Sequence, residues 1–349
     1  MKKLLYAFLI LLFVIIVAYN IIDYVLSAPA YSGPKTDHFD GTDFNNLTSA
    51  KPKGFFDILR WQLTREKGPW PEWINAEPAP HPPKRVKTGD LRITFVNHST
   101  FLIQIDGINI LTDPIWSERA SPVTWAGPKR VRPAGIRYED LPTIDAVLIS
   151  HNHYDHLDLP TLQKLSFDHI PAFYTGLGNN LLLAKKNIRG VSEMDWWESI
   201  PVKNGVRLIC VPAQHWTGRG FKDRSKTLWC GFIIQGQSKS VYFAGCTGFG
   251  PHFQQIVDRQ KSISVSLLPI GAFRPRWFME AAHLSPADVI KAQQVLNSQN
   301  VVPMHFGTFN LGDDGYTEPI DVLKAELSKS SAKLKSAFHI LDLGQGKNF

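Results

Sequence analysis

The densest group of potential metal ligands in this sequence is the run Ser-His-Asn-His-Tyr-Asp-His at residues 150–156. Imidazole nitrogen and carboxylate oxygen are the usual ligands of zinc, which they bind at about 2.0–2.2 Å. His151 and His153 lie two residues apart, so a near-extended backbone turns both rings the same way. Asp155 and His156 come after a turn and can face a second ion. The pattern predicts a metal site at this loop; the alternative is a surface loop that is merely rich in histidine.

Three more residues of ligand type recur downstream: His215, Cys246 and His305. Each of them comes just past the end of a predicted strand. Strand ends on one edge of a sheet converge. We therefore expect these three side chains to join the 150–156 loop in a single site.

Three further residues are candidates for the edge of this site. His98 and Asp113 could orient a ligand instead of binding the metal, since outer carboxylates commonly fix ligating histidines. His283 comes before a predicted helix and could reach a substrate. The alternative for each is an ordinary structural role. The remaining histidines have no ligand context: His38, His81, His169, His252 and His339.

The elements that must position these residues run in a strand-rich, then mixed, then helix–strand order. Alternating or short apolar runs predict strands at 91–96, 100–105, 108–112, 146–150, 207–211, 228–235, 241–244, 265–269 and 301–304. Helices are predicted at 55–64, 159–165, 252–260, 286–298 and 319–328. Ser285 and Pro286 suit the cap and first position of the fourth helix. This order predicts an α/β fold in which two sheets pack face to face with helices outside.

The N-terminus is a targeting element over residues 1–27. Lys2 and Lys3 precede the apolar run Leu4–Ile22, which is long enough to cross a bilayer. Two lysines before the run favour a cytoplasmic N-terminus, so an uncleaved anchor would place the rest of the chain on the extracytoplasmic side. A signal peptide cleaved near Ala28-Pro29-Ala30, giving a secreted protein, is the alternative.

Residues 28–88 form an irregular extension rich in proline and glycine, and the domain that carries the candidate metal site is predicted to span 89–349. Three tryptophans stand out in the extension: Trp61, Trp70 and Trp73. We expect them to pin the extension to the domain. Contact with the lipid interface, where tryptophan is favoured, is the alternative.

The composition is that of a globular protein with a sizeable core, since 44% of the 349 residues are hydrophobic and 20% are charged. The net charge of +7 suits an anionic membrane surface. The basic residues are scattered, so no nucleic-acid partner is expected. Cys210 and Cys230 are expected to be buried, unpaired side chains, because three cysteines without a CxxC pair do not indicate a disulfide framework. The sequence does not indicate an oligomeric state.

The order of these motifs, an HxHxDH run followed by an isolated histidine, an FAGxTG turn and a late histidine, resembles the metallo-β-lactamase superfamily. The resemblance is closer still to the branch of N-acyl-phosphatidylethanolamine-hydrolysing phospholipase D. It covers roughly residues 90–340. The segments that carry it are 111–115 (LTDPI), 119–122 with 127–130, 144–158, 211–216 (VPAQHW), 268–273 and 275–279 (PRWFM).

The resemblance implies a four-layer αββα sandwich of two mixed β-sheets, with two zinc ions at one edge. By position, the first zinc would be held by His151, His153 and His215, and the second by Asp155, His156 and His305. The family normally has an aspartate in the FAGxTG turn, where this chain has Cys246. A thiolate binds zinc well, at about 2.3 Å, so we expect Cys246 to bind or bridge. A weakened, altered or inactive site is the alternative.

The implied activity is a zinc-dependent hydrolase, a phosphodiesterase of phospholipase D type. A phospholipid is the expected substrate, and the products would be phosphatidic acid and an N-acylethanolamine. Asp155 would help orient the nucleophile, and His283 would contact the substrate. Two alternatives remain: hydrolysis of a soluble lactone or cyclic phosphodiester, and a non-catalytic relative impaired at Cys246.

Overall fold

Two β-sheets form the centre of the molecule in the computed structural model, which describes residues 2–49, 53–77, 79–260 and 262–349. Strands are numbered in chain order. The first sheet comprises β1 (Leu91–Asn97), β2 (Thr100–Ile105), β3 (Ile108–Thr112), β4 (Ala146–Ile149), β5 (Ala172–Gly176), β6 (Val191–Met194) and β13 (Gly346–Asn348). The second comprises β7 (Ser199–Pro201), β8 (Arg207–Val211), β9 (Gly231–Gln235), β10 (Ser240–Phe243), β11 (Val265–Pro269) and β12 (Asn300–Met304).

Both sheets are mixed. The first has the order β13-β1-β2-β3-β4-β5-β6, and the second has the order β12-β11-β10-β9-β8-β7. The pairs β3–β4 and β4–β5 in the first sheet are parallel, as are β10–β11 and β11–β12 in the second. Parallel neighbours end at the same edge, and there the loops after β3, β4, β10 and β12 meet.

The helices lie outside the sheets. They are α1 (Lys2–Leu26), α2 (Phe55–Leu63), α3 (Leu159–Asp168), α4 (Asn180–Ala184), α5 (His252–Arg259), α6 (Arg276–Met279), α7 (Pro286–Leu296), α8 (Glu318–Ser328) and α9 (Ala332–Ala337). The predicted cap of α7 is confirmed, because the Ser285 side chain accepts a hydrogen bond from the backbone of Asp288.

The alternation of side chains along β4 shows why the layers form. Ala146 and Leu148 point into the core between the two sheets, whereas Val147 and Ile149 pack in a separate cluster with Leu162 and other residues of the outer helices. Successive side chains of a strand point to opposite faces of the sheet, so a strand that is apolar at every position must be covered on both faces. The predicted αββα sandwich is therefore confirmed.

The predicted strand at 228–235 begins three residues later than expected, at Gly231. Leu228 and Trp229 were included in the prediction because their side chains are apolar, and in the structure both are fully buried. Their polar groups are used elsewhere: the backbone N–H of Leu228 donates to Leu177, and the indole of Trp229 donates to the carbonyl of Ala213. Cys210 and Cys230 are buried, as predicted, but only Cys210 lies within a strand, because β9 begins after Cys230.

Helix α1 is long and apolar enough to cross a membrane, with a mean hydropathy of 2.7 over its most apolar window. Its C-terminal end is fastened to the segment 217–225, which we call the anchor loop. The Asp23 carboxylate accepts backbone hydrogen bonds from Phe221 at 2.7 Å and Lys222 at 3.0 Å. Tyr19 stacks on Phe221 with ring centroids 4.7 Å apart. The helix therefore leaves the domain from a fixed point.

The extension is pinned to the domain by polar side chains as well as aromatic ones. Trp61 donates to Asp313 and Trp70 to the carbonyl of Asp314, each at 2.8 Å, as expected for a pinning role. Trp73 is 48% exposed and bonds within its own segment instead. Nearer the N-terminus, the buried His38 ring contacts Asp195 at 2.7 Å and stacks on Trp196.

Candidate metal centre

The metal-ligand loop at 150–156 begins where β4 ends and is held by Asp113 at the end of the parallel neighbour β3. One carboxylate oxygen of Asp113 accepts from the backbone of Ser150 at 2.7 Å. The other accepts from the Ser150 hydroxyl and lies 2.6 Å from Nδ1 of His156. Asp113 therefore fixes the His156 ring and leaves its Nε2 free to face the site.

The first group of donors consists of three imidazoles. His151 Nε2 lies 2.9 Å from His153 Nδ1, which lies 3.3 Å from His215 Nε2. Two nitrogens bound to one tetrahedral zinc ion are about 3.4 Å apart. The three predicted residues therefore meet at the spacing of ligands, although His215 comes from a different sheet.

The second group contains anionic donors. Asp155 Oδ2 lies 3.0 Å from His156 Nε2 and 3.4 Å from His305 Nε2. The Cys246 sulfur lies 3.2 Å from the same nitrogen of His156. Its donor atom also falls within 4.8 Å of donors on His151 and His215. Cys246 is therefore placed between the two groups.

His98 and His283 also have donor atoms within 4.8 Å of the second group, His98 beside Asp155, His156 and His305, and His283 beside Cys246 and His305. His98 Nε2 lies 2.9 Å from Asp155 Oδ2, so its ring orients that carboxylate. The His283 ring is 5.3 Å from that of His215, and its side chain lines the adjoining pocket. In the described part of the chain, the histidines that were expected to have no ligand role lie outside the donor groups: His38, His81, His169, His252 and His339.

Burial controls the ionisation of the first group. It lowers the pKa of His151 and His215 well below the ordinary imidazole value, and neighbouring histidines lower both further. Burial likewise lowers the pKa of His153 to about 3. All three rings are therefore neutral near neutral pH, which is the form that binds a metal.

Charge pairing controls the second group. Burial lowers the pKa of His305, but Cys246 and Asp155 outweigh it and raise that pKa to about 9. Burial also lowers the pKa of His156, but the same two anions outweigh it and hold that pKa well above its ordinary value. In return, His156 and His305 lower the pKa of the Cys246 thiol although burial raises it. Without a metal, protons on the imidazoles balance the anionic donors.

These residues fit divalent cations. Among the described residues, neither buried ring nitrogen of His305 has a partner with hydrogen-bond geometry, a costly state for polar atoms. Around them, imidazole, carboxylate and thiolate donors face one another at ligand spacing. A divalent cation would satisfy this donor set, and its charge would replace that of the protons.

Two residues that hold parts of the site in place were missed by the sequence analysis. Asn46 of the extension bridges the backbone of His215, donating to its carbonyl at 2.8 Å and accepting from its N–H at 3.0 Å. Arg219 of the anchor loop donates to the carbonyl of Asn152, inside the metal-ligand loop, and to that of Leu157, just after it, at 2.8 and 2.9 Å. No local sequence pattern indicates a role for Asn46. For Arg219, the available signal in the sequence was a basic side chain between two glycines.

A pocket of about 1140 Å³ opens from the donor cluster. Its walls include the apolar side chains Ile58, Trp61, Trp216, Phe278 and Met279, and its polar lining includes Lys53 and Arg224. An αββα sandwich with this donor cluster at the base of a pocket defines a metal-dependent hydrolase.

The comparisons with known proteins agree. A family model described as a beta-lactamase superfamily domain matches residues 108–306, and the chain belongs to this superfamily. It is 35% identical to the N-acyl-phosphatidylethanolamine-hydrolyzing phospholipase D 1 of Caenorhabditis elegans, over 72% of this chain and 74% of that one. The mitochondrial enzyme of the same name from Saccharomyces cerevisiae is 32% identical, over 73% and 55% of the two chains. A metallo hydrolase from Ignicoccus hospitalis shares the fold with a TM-score of 0.55 and 23% identity, over 74% and 98% of the two chains.

Proposed function

We propose that this protein is a membrane-anchored, two-zinc phosphodiesterase of phospholipase D type that acts on N-acyl-phosphatidylethanolamine-like lipids. The observation that carries the proposal is the pocket itself, whose apolar walls lead directly to the donor cluster. A soluble lactone would leave most of such a surface without a partner, whereas acyl chains would cover it. The similarity to two phospholipases named for this substrate supports the same assignment.

The first zinc would be held by His151, His153 and His215, and the second by Asp155, His156 and His305, with Cys246 as a ligand of the second or of both. When bound, the two ions would supply Lewis acidity at the phosphoryl group and lower the pKa of water so that a nucleophile exists at neutral pH.

The chain's own residues would bind and orient the substrate. Lys53 and Arg224 line the pocket and would attract the phosphodiester charge. Arg224 is held over the ring of Trp216 at 4.0 Å, which fixes the direction of its guanidinium group. Asp155 would orient the attacking water, and the neutral ring of His283 would hydrogen-bond a phosphoryl oxygen.

The test uses the full chain, loaded with zinc, on vesicles that contain N-acyl-phosphatidylethanolamine. We expect phosphatidic acid and N-acylethanolamine in equal amounts. In heavy-oxygen water, the label should enter phosphatidic acid, because attack occurs at phosphorus. A His151→Ala, His153→Ala variant serves as the inactive control. The proposal is wrong if the lipid stays intact while two zinc ions are bound to each chain.

A further inference from the structure

Helix α2 carries an apolar face that no described part of the protein covers. Phe55, Phe56, Leu59 and Leu63 are 72%, 81%, 41% and 77% exposed. At about 100° per residue, these four side chains fall within an arc of about 100°. Soluble surfaces rarely expose such a contiguous apolar patch without a partner.

The opposite face of α2 fixes how the helix sits. Trp61 lines the pocket, and its ring stacks on Phe278 with centroids 4.6 Å apart. Ile58 also lines the pocket, but it lies about 60° around the helix from Phe55, at the border of the apolar face, and is 45% exposed. Arg60 lies over the ring of Trp277 at 4.6 Å. These contacts make α2 one wall of the pocket and turn its apolar face away from the domain.

The segment that holds the C-terminal end of α1 also lines this pocket. The anchor loop holds Asp23 of α1, and its residues Arg224 and Ser225 line the pocket that Ile58 also lines. The pocket is therefore lined both by the segment that holds α1 and by the helix that carries the exposed apolar face.

We propose that the outer face of α2 inserts into the surface of the bilayer that contains α1, so that the pocket opens onto lipid. This rests on the proposed function, because it needs α1 to be an anchor and the substrate to lie in the membrane. An amphipathic helix of this kind is buried about 5–10 Å into the boundary between headgroups and acyl chains.

The charges near α2 favour a lipid surface over a second copy of this chain. Residues 53–67 contain four basic and two acidic side chains, and the whole chain carries a net charge of +7. The α2 surfaces of two copies of this chain would repel each other, whereas each would be attracted to anionic headgroups.

The first experiment measures lipid contact directly. Phe56→Cys and the matched control Phe167→Cys replace equally exposed phenylalanines, 81% and 85%, and each full-length variant is labelled with an environment-sensitive dye. Unsubstituted protein measures background labelling of the native cysteines, which are buried. In vesicles of phosphatidylcholine and phosphatidylglycerol, we expect blue-shifted emission at position 56 that lipids spin-labelled near the headgroup quench. The dye at 167 should emit as in water.

Two results would overturn the inference: emission at 56 like that at 167, or a blue shift that lipid quenchers leave unchanged, which would mean that another protein surface covers the face. Catalysis plays no part in this readout. Insertion by a protein that cleaves no lipid would refute the proposed function alone, and cleavage without insertion would refute the inference alone.

The second experiment uses the variant Phe55→Ser, Phe56→Ser, Leu63→Ser. We expect kcat/KM on lipid in vesicles to fall at least tenfold, because the variant buries less apolar surface in the bilayer. The rate on soluble bis(p-nitrophenyl) phosphate should stay within twofold, which shows that the variant is folded. Equal rates for variant and unsubstituted protein on vesicles would contradict the inference.

Discussion

The thiol of Cys246 lies among the candidate metal ligands, and its surroundings suit a thiolate. The side chain is 3% exposed, and its sulfur lies 3.2 Å from His156 Nε2. Burial raises the pKa of the thiol, but the two neighbouring imidazoles lower it by more. A sulfur ligand at this position would favour zinc over harder cations.

Replacing Cys246 tests its role as a ligand. We expect Cys246→Ser to lower the affinity for one of two zinc ions at least tenfold, and Cys246→Asp to keep both ions. With cobalt in place of zinc, the unsubstituted protein should show a sulfur-to-cobalt charge-transfer band that both variants lack. Two tightly bound ions in Cys246→Ser, without such a band in the unsubstituted protein, would show that the sulfur is not a ligand.

Asn46 is the residue through which the extension acts on the metal site. Asn46→Ala removes two hydrogen bonds to the backbone of His215 and one to the indole of Trp229. We expect the free energy of unfolding to fall by about 1–3 kcal/mol, because buried polar groups lose their partners. Zinc dissociation from the first group should also be faster. Denaturation curves and zinc release to a chelator measure the two effects.

The matched control is Asn45→Ala. That side chain is exposed, and its amide donates to the carbonyl of Asp43 at 3.3 Å, within its own segment. Its stability and zinc release should be unchanged, and equal losses in the two variants would refute the specific role of Asn46.

The donor residues could be predicted because each follows a strand with a clear apolar pattern. Asn46 could not, because its partner His215 is 169 residues away and nothing near Asn46 in the sequence refers to it. Arg219 similarly acts on a carbonyl 67 residues away. Contacts of this kind are set by how distant segments pack, and one sequence carries no period or spacing that encodes them.

At the scale of elements, the sequence analysis missed the five-residue, largely buried β5 and three strands that are shorter or more polar. β13 has the sequence Gly-Lys-Asn, and glycine and asparagine are depleted in strands. It is a strand because its backbone pairs with β1 over three residues. β6 and β7 are likewise short and partly exposed, with pairing partners that only the fold supplies.

His38 fastens the extension to the strand end after β6, and its charge makes this contact depend on pH. Burial lowers the pKa of His38, but Asp195 and Asp37 raise it by more, so the net shift is upward. A raised pKa in the folded state gives stability that is complete below the unfolded value, about 6.5, and is lost as the pH rises through the folded value.

We therefore expect His38→Gln to lower the midpoint of thermal unfolding more at about pH 6 than at about pH 9. Differential scanning calorimetry at both pH values measures this. His81→Gln is the control, because the side chain of His81 is 72% exposed and lies 3.5 Å from its carboxylate partner. A difference between His38→Gln and the unsubstituted protein that does not change with pH would contradict the expected charge pairing.

At the scale of the whole molecule, α1 would set the side of the membrane on which the domain lies if it acts as an anchor, as proposed above. Two lysines precede the apolar run, so the domain is expected outside the cytoplasm. Alkaline phosphatase fused after Phe349 should be active in a bacterial host, because it needs the extracytoplasmic compartment. The same fusion without residues 2–26 should be inactive. Activity of neither fusion, together with fluorescence of a green fluorescent protein fused at the same place, would show the opposite orientation.

The fastening of Asp23 to the backbone of Phe221 and Lys222 has a consequence for how the proposed enzyme would meet its substrate. A domain held at a constant height above one leaflet samples that leaflet in two dimensions. Its rate would follow the mole fraction of substrate among the lipids around it, and dilution of the vesicles in buffer would leave turnover unchanged. Adding inert lipid to the same vesicles would slow it.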